Sequence, residues 1–358
     1  MARHGLAQRA PATAAMGVVE RLCGLHAQVM SSAELTLWAR VDGLQRDLLS
    51  RALWADRTLV KTWSMRGTLH LLPAHEYGLW QAGFSTYDHF TKPAWSRAFG
   101  LTVGELDALI EAVGASLRGR VLTRDALAAA VAERTDAATG EKVRESWGAV
   151  LKPASFRGEL VFGPSHGRNV RFAHPADQVG DIERVEPGDA LARITRRYLA
   201  LNGPATRDDL RRWWGVQAPH AGRMLTALGD EAVRVRVAGE ERWLLAADVD
   251  ELAAAAPDGR TALVPAFDQY VAGAPRGVDA LLPAGMAGRV YRPQGWLSPV
   301  LLVDGRMAGV WRHEVKGGRV RVAIEPFARP PRAVRQAAEA EAGRLAGWLG
   351  GELELTWP

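Results

Sequence analysis

Apolar residues recur at Val18, Val19, Leu22, Cys23 and Leu25, a helical spacing that predicts helices over 15–27 and 33–41, with a third over Asp47–Trp54. The pattern then changes period. Lys61–Met65 and Thr68–Leu72 read as two strands joined at Arg66-Gly67. Further along, Leu122-Thr123-Arg124-Asp125-Ala126-Leu127 is echoed by Ala205-Thr206-Arg207-Asp208-Asp209-Leu210, 83 residues later. In each copy the threonine is a natural N-cap, the acidic residue two positions on favours the helix N-terminus, and the leucine opens the buried face.

The elements that follow the two threonines run in parallel. After Thr206 a short helix ends near Gly215, a second spans Gln217–Leu228, and Val233–Val237 alternates strictly as a strand that turns at 238–241 and returns through Arg242–Leu245. After Thr123 the helix reaches Arg134, a second covers Glu141–Lys152, and strands Glu159–Phe162 and Asn169–Ala173 enclose a turn at 163–168. Helix, turn, helix and hairpin is the order of a winged helix, and the N-terminal segment fits it without the threonine signature. The last third is richer in strands: Val300–Trp311 is a hairpin around Asp304-Gly305, Val320–Ile324 is another strand, and Ala333–Leu349 is a helix laid on the sheet. The chain is therefore expected to be α+β, with three tandem winged-helix domains at 1–100, 101–184 and 185–358, the third carrying a β-rich C-terminal extension. A generic α/β fold whose threonine caps coincide is the competing reading.

Composition narrows the setting. A chain of 358 residues exceeds what one core usually serves, and 47% hydrophobic with 24% charged residues describes a packed protein. The net charge of +5 is carried almost wholly by arginine, since only Lys61, Lys92, Lys142, Lys152 and Lys316 are lysines. Arginine forks suit phosphate oxygens and guanine edges, so nucleic acid is a fitting partner. The single cysteine, Cys23, excludes a disulfide framework and a cysteine zinc site, and its apolar setting reads as core. No apolar run approaches the roughly 18 residues of a membrane span, and no signal-peptide pattern opens the chain, so a cytoplasmic protein away from membranes is expected; a monomer is expected as well. No paired-histidine spacing suggests a metal, and no cofactor is expected.

Several segments carry a family resemblance. Leu22-Cys23-Gly24-Leu25-His26-Ala27-Gln28, Trp63-Ser64-Met65-Arg66-Gly67-Thr68-Leu69-His70-Leu71, Gly203-Pro204-Ala205-Thr206, Pro265-Ala266-Phe267-Asp268 and Val303-Asp304-Gly305-Arg306 together resemble the AlkZ/YcaQ family of winged-helix DNA glycosylases. In that family the active-site motif is glutamine, an aliphatic residue, then glutamine; the matching positions here are His26, Ala27 and Gln28. The histidine departs from that pattern and resembles the antibiotic-cluster branch, which removes bulky intercalator-type adducts from guanine N7 as self-protection. The resemblance thus implies base excision on double-stranded DNA carrying alkylated guanine, with His26 and Gln28 catalytic.

Guanine alkylated at N7 is cationic and already has a weakened glycosidic bond, so the enzyme has to place a water and stabilise an oxocarbenium-like sugar rather than protonate a leaving group. His26 could orient and deprotonate that water, and Gln28 could present a carbonyl dipole. The segment has no lysine for a Schiff base, so simple hydrolysis to an abasic site is expected. Without the resemblance, a His-x-Gln at an apolar helix end is more often a structural pair than a catalytic one, and His70 and His75 are rival bases. Arg66, Arg157, Arg168, Arg171, Arg211, Arg212, Arg223, Arg306 and Arg312 are the candidate DNA contacts, although a solvated arginine is the bland alternative for each. Of the thirteen tryptophans, Trp38, Trp54, Trp80 and Trp147 fall on apolar helical faces and read as core. A non-catalytic winged-helix transcriptional regulator and a protein that sequesters free drug are the alternatives to an enzyme.

Overall fold

A computed structural model describes residues 1–358 except Trp147, Asp258 and Pro358, so the expectation for Trp147 lies outside the described residues. Helices and short sheets are intermixed along the chain, with the largest sheet C-terminal, as an α+β chain with a β-rich extension requires. Two compact units divide it: one of Met1–Arg46, Arg197–Trp213 and Gly229–Pro358, the other of Asp47–Arg196 and Trp214–Leu228. These units cut across the ranges 1–100, 101–184 and 185–358.

The first unit is organised on a five-stranded sheet in the order Thr261–Val264, Val300–Val303, Arg306–Lys316, Arg319–Pro326 and Glu352–Thr356. The first four strands are antiparallel neighbours and the last runs parallel to the fourth. Asp304 and Gly305 turn the second strand into the third with φ of 49° and 79°, the twin left-handed residues of a tight hairpin. Helix Arg332–Leu349 buries Leu345 together with Ala338, Ala342 and Ala346, the alanines letting it lie close. Arg344 from this helix sits 3.7 Å from the ring centroid of the fully buried Trp38 and donates to its carbonyl. A separate hairpin pairs Ala232–Val237 with Glu240–Leu245, turning at Ala238 and Gly239.

In the second unit, hairpin Leu59–Trp63 and Leu69–Pro73 is followed by helix Tyr77–Phe84. Helix Val103–Leu117 begins in a capping box between Thr102 and Glu105, and Thr123 caps Arg124–Arg134 through the Ala126 N–H. A three-stranded sheet joins Leu122–Thr123 to the hairpin Val161–His166 and Asn169–Ala173. Aromatic packing forms the core: Phe84 stacks on Trp214 at 5.1 Å, and Tyr87 meets Phe156 edge-on at 5.1 Å.

Two sequence expectations need correction. The segment 141–152 is not one helix: Asp136 caps Ala137–Glu145, and a separate helix, Lys152–Phe156, follows Gly148, whose φ is 91°. The helix expected over 15–27 stops at Arg21, with direct consequences for the site.

Candidate active site

The first helix ends because Cys23 and Gly24 both turn left-handed, at φ of 58° and 90°. Three N–H groups that would otherwise be orphaned find carbonyls in the last turn: Leu22 donates to Val18, Cys23 to Glu20 and Gly24 to Val19, each at 3.0 Å. Chain direction then reverses into a short extended segment, Leu25–His26, ahead of helix Met30–Trp38. His26 and Gln28 therefore lie in a connection between helices rather than at a helix end. The histidine is only 6% exposed, the intervening Ala27 is fully buried and Gln28 is exposed.

A second segment clamps this connection. Phe267, also left-handed at φ 59°, lays its ring on the His26 imidazole with centroids 4.6 Å apart and planes 11° from parallel. The amide Nε2 of Gln269 donates to the Gly24 carbonyl at 2.6 Å. Between them, Asp268 is fully buried and takes two hydrogen bonds from the equally buried Arg40, at 2.7 and 2.8 Å, while accepting the Tyr270 N–H at 2.9 Å. Arg40 also donates to the carbonyls of Thr36 and His4. This is a paired, multiply bonded buried charge, the form in which such a group is tolerated. Left-handed phenylalanine costs of order 1–3 kcal/mol and persists only where its surroundings fix it, as they do here.

Arg40, Phe267 and Gln269 were not among the residues expected from the sequence. Pro265-Ala266-Phe267-Asp268 carried the family resemblance without a role; its role is to hold the His26 connection. His70, the rival base, is buried with Nδ1 3.2 Å from the Thr68 carbonyl, whereas His75 is exposed.

The candidate DNA-contact arginines fall into three kinds of surroundings. Arg168, Arg223 and Arg306 are exposed; so is Arg157, which projects over the Phe90 ring at 5.7 Å. Arg211 pairs with Asp208, Arg212 with Asp209 and Arg312 with Glu325. Arg171 is half-buried and donates to the Pro164 carbonyl, and Arg66 is half-buried at φ 60° on its hairpin tip. In the first unit Arg306 and Arg312 share one strand, and in the second Arg168 and Arg171 share one hairpin.

The family model described as DNA glycosylase AlkZ-like matches residues 19–348. The chain belongs to the AlkZ-like DNA glycosylases. It is 37% identical over 338 residues, 93% of this chain and 90% of the relative, to a Streptomyces sahachiroi protein named interstrand DNA cross-link repair glycosylase. Its structure matches that of Streptomyces sahachiroi DNA glycosylase AlkZ with a TM-score of 0.89 at 34% identity, covering 99% of both chains. An AlkZ-like glycosylase acts on DNA, so DNA is the partner and hydrolytic base excision the activity. Among the described residues no helix is long and apolar enough to cross a membrane.

Proposed function

We propose that this AlkZ-like glycosylase hydrolyses the glycosidic bond of bulky N7-alkylguanine in double-stranded DNA, with His26 and Gln28 as its catalytic residues, and that it serves as a monomer in self-resistance to a DNA-alkylating natural product. On this reading the three helix–hairpin segments, 1–100, 101–184 and 185–358, are winged-helix modules that present DNA to the site.

The observation that carries the reading is the fixed imidazole: His26 is stacked on Phe267 and flanked by an exposed Gln28, in a connection pinned by Gln269. The C1′–N9 bond breaks with its electron pair passing to the base, which neutralises the charge that alkylation placed on the guanine. Water then attacks C1′ and loses a proton to the His26 imidazole. The Gln28 side-chain carbonyl faces the developing positive sugar as a dipole, so it favours the transition state without a formal charge that would bind the cationic ground state equally well. Phe267 limits rotation of the imidazole, which keeps the base where proximity is worth most. The name of the Streptomyces sahachiroi relative supports extending the substrate to guanines tethered in interstrand cross-links.

Single-turnover release of base from a duplex containing N7-alkylguanine tests this directly. His26→Ala with Gln28→Ala should slow release by about a hundred- to ten-thousandfold, the range of positioned acid–base groups, while circular dichroism stays unchanged. A double variant that keeps its rate overturns the assignment.

A further inference from the structure

The ring contacts do not end with His26 and Phe267. Trp296 packs against Phe267, its ring centroid 4.9 Å away and its plane tilted by 48°. Yet Trp296 remains 50% exposed, unusual for so large an apolar side chain. The loop that presents it is built rather than slack. Tyr291 and Leu297 bridge as antiparallel partners, the Arg292 N–H donates to the Trp296 carbonyl at 2.8 Å, and Gln294 and Gly295 turn at φ of 59° and 78°. Backbone in this conformation is costly for glutamine, and such residues gather where a side chain has to be held in place.

Trp296 borders a cleft of about 570 Å³, shared with Ala266, Pro293, Leu297, Trp311 and Arg292. That volume falls within the roughly 300–1,000 Å³ of pockets that hold sizeable organic ligands. Its charges are unevenly spent. Arg289 and Arg312 share the one carboxylate of Glu325 and are held by it, whereas the Arg292 guanidinium has no hydrogen-bond or ion-pair partner among the described residues, so the cleft stays net positive. One exposed indole with one uncommitted guanidinium is a combination that grips flat, electron-rich rings by stacking and cation–π attraction.

We propose that this cleft is a subsite for a planar aromatic group attached to the alkylated guanine, held on Trp296 two ring contacts from His26. The subsite gives the glycosylase a preference for aryl-bearing lesions over small ones. It rests on the reading of His26 as the reacting centre for N7-alkylguanine, and the test separates the two.

The full-length protein is titrated, by fluorescence anisotropy, with two duplexes whose 2′-fluoro sugar prevents base loss, one carrying N7-methylguanine and the other N7-(anthracenylmethyl)guanine. The readout is the ratio of the two affinities. The wild type is expected to prefer the aryl duplex, Trp296→Ala to reduce that preference by roughly five- to 150-fold, the loss typical of one stacked ring, and Trp296→Phe to restore most of it. Arg292→Met should give a smaller reduction in the same direction. A ratio that Trp296→Ala leaves unaltered, whether both affinities fall together or neither falls, overturns the subsite. Base release is measured separately on the same lesions with ordinary sugars. Failure of the wild type there counts against N7-alkylguanine hydrolysis and leaves the affinity ratio to judge the cleft.

Discussion

His4 is fully sheltered and lies near Arg40, which pins the candidate site through Asp268. Burial, and then the positive charge of Arg40, hold its imidazole well below the ordinary value of 6.5, so it is neutral in the folded protein. Asn202 and the Leu201 backbone offset part of this by hydrogen bonding, and the Tyr270 ring closes the other side at 5.0 Å. The unfolded chain binds the proton at a higher pH than the folded one, so stability from this residue is complete above pH 6.5 and declines as the pH falls below it. Urea midpoints recorded between pH 7.5 and 5 should therefore drop, and should drop less steeply in His4→Gln. Little of this arrangement could be read from the residues in order. His26 and Gln28 were visible as a motif, but nothing in a phenylalanine announces a left-handed backbone, and Arg40 finds Asp268 across 228 positions of chain. Local pattern carries no information about such a partner.

Elements with a local cause were legible. The caps at Thr123 and Thr206, the Asp304-Gly305 turn and the strictly alternating Val233–Val237, which lies within the strand Ala232–Val237, follow from chemistry within a few residues and stand where the sequence put them. The helix over 15–27 failed because its apolar spacing continued past Arg21 while Cys23 and Gly24 turned left-handed, and apolar periodicity does not register a chain reversal that preserves burial. Helix packing exposes a further contrast between glycines. In helix Tyr77–Phe84 a Cβ on Gly78 would lie 2.0 Å from the Glu183 carbonyl oxygen, a backbone atom that cannot swing aside. On Gly343, within helix Arg332–Leu349, a Cβ would meet nothing within 4 Å. Gly78→Ala should therefore cost about 1–3 kcal/mol through overpacking. Gly343→Ala should add roughly 0.5–1 kcal/mol through helix propensity. Thermal midpoints of the two variants, moving in opposite directions, check both.

For the molecule as a whole, a net charge of +5 on a DNA-acting enzyme makes its affinity a function of salt. Each phosphate contact releases counterions, so log affinity should fall linearly with log salt, and removing one contacting arginine should reduce the slope by about 1. Arg168 on its hairpin and Arg306 on its strand are the exposed residues to test; titrations of Arg168→Ala and Arg306→Ala across 50–200 mM salt, compared with the wild type, show which of them meets phosphate. The order in which the chain is made matters as well. Gly24 receives its hydrogen bond from Gln269, 245 positions later, and the Arg40 guanidinium waits equally for Asp268. On the ribosome, at about 5–20 residues per second, the N-terminal segment bearing His26 spends roughly 12–50 s without the residues that shape it. On the proposed assignment of His26 and Gln28, a nascent chain stays inert until most of it has emerged, and a messenger cut short between their codons and that of Phe267 yields a fragment with the motif but without the segment that clamps it.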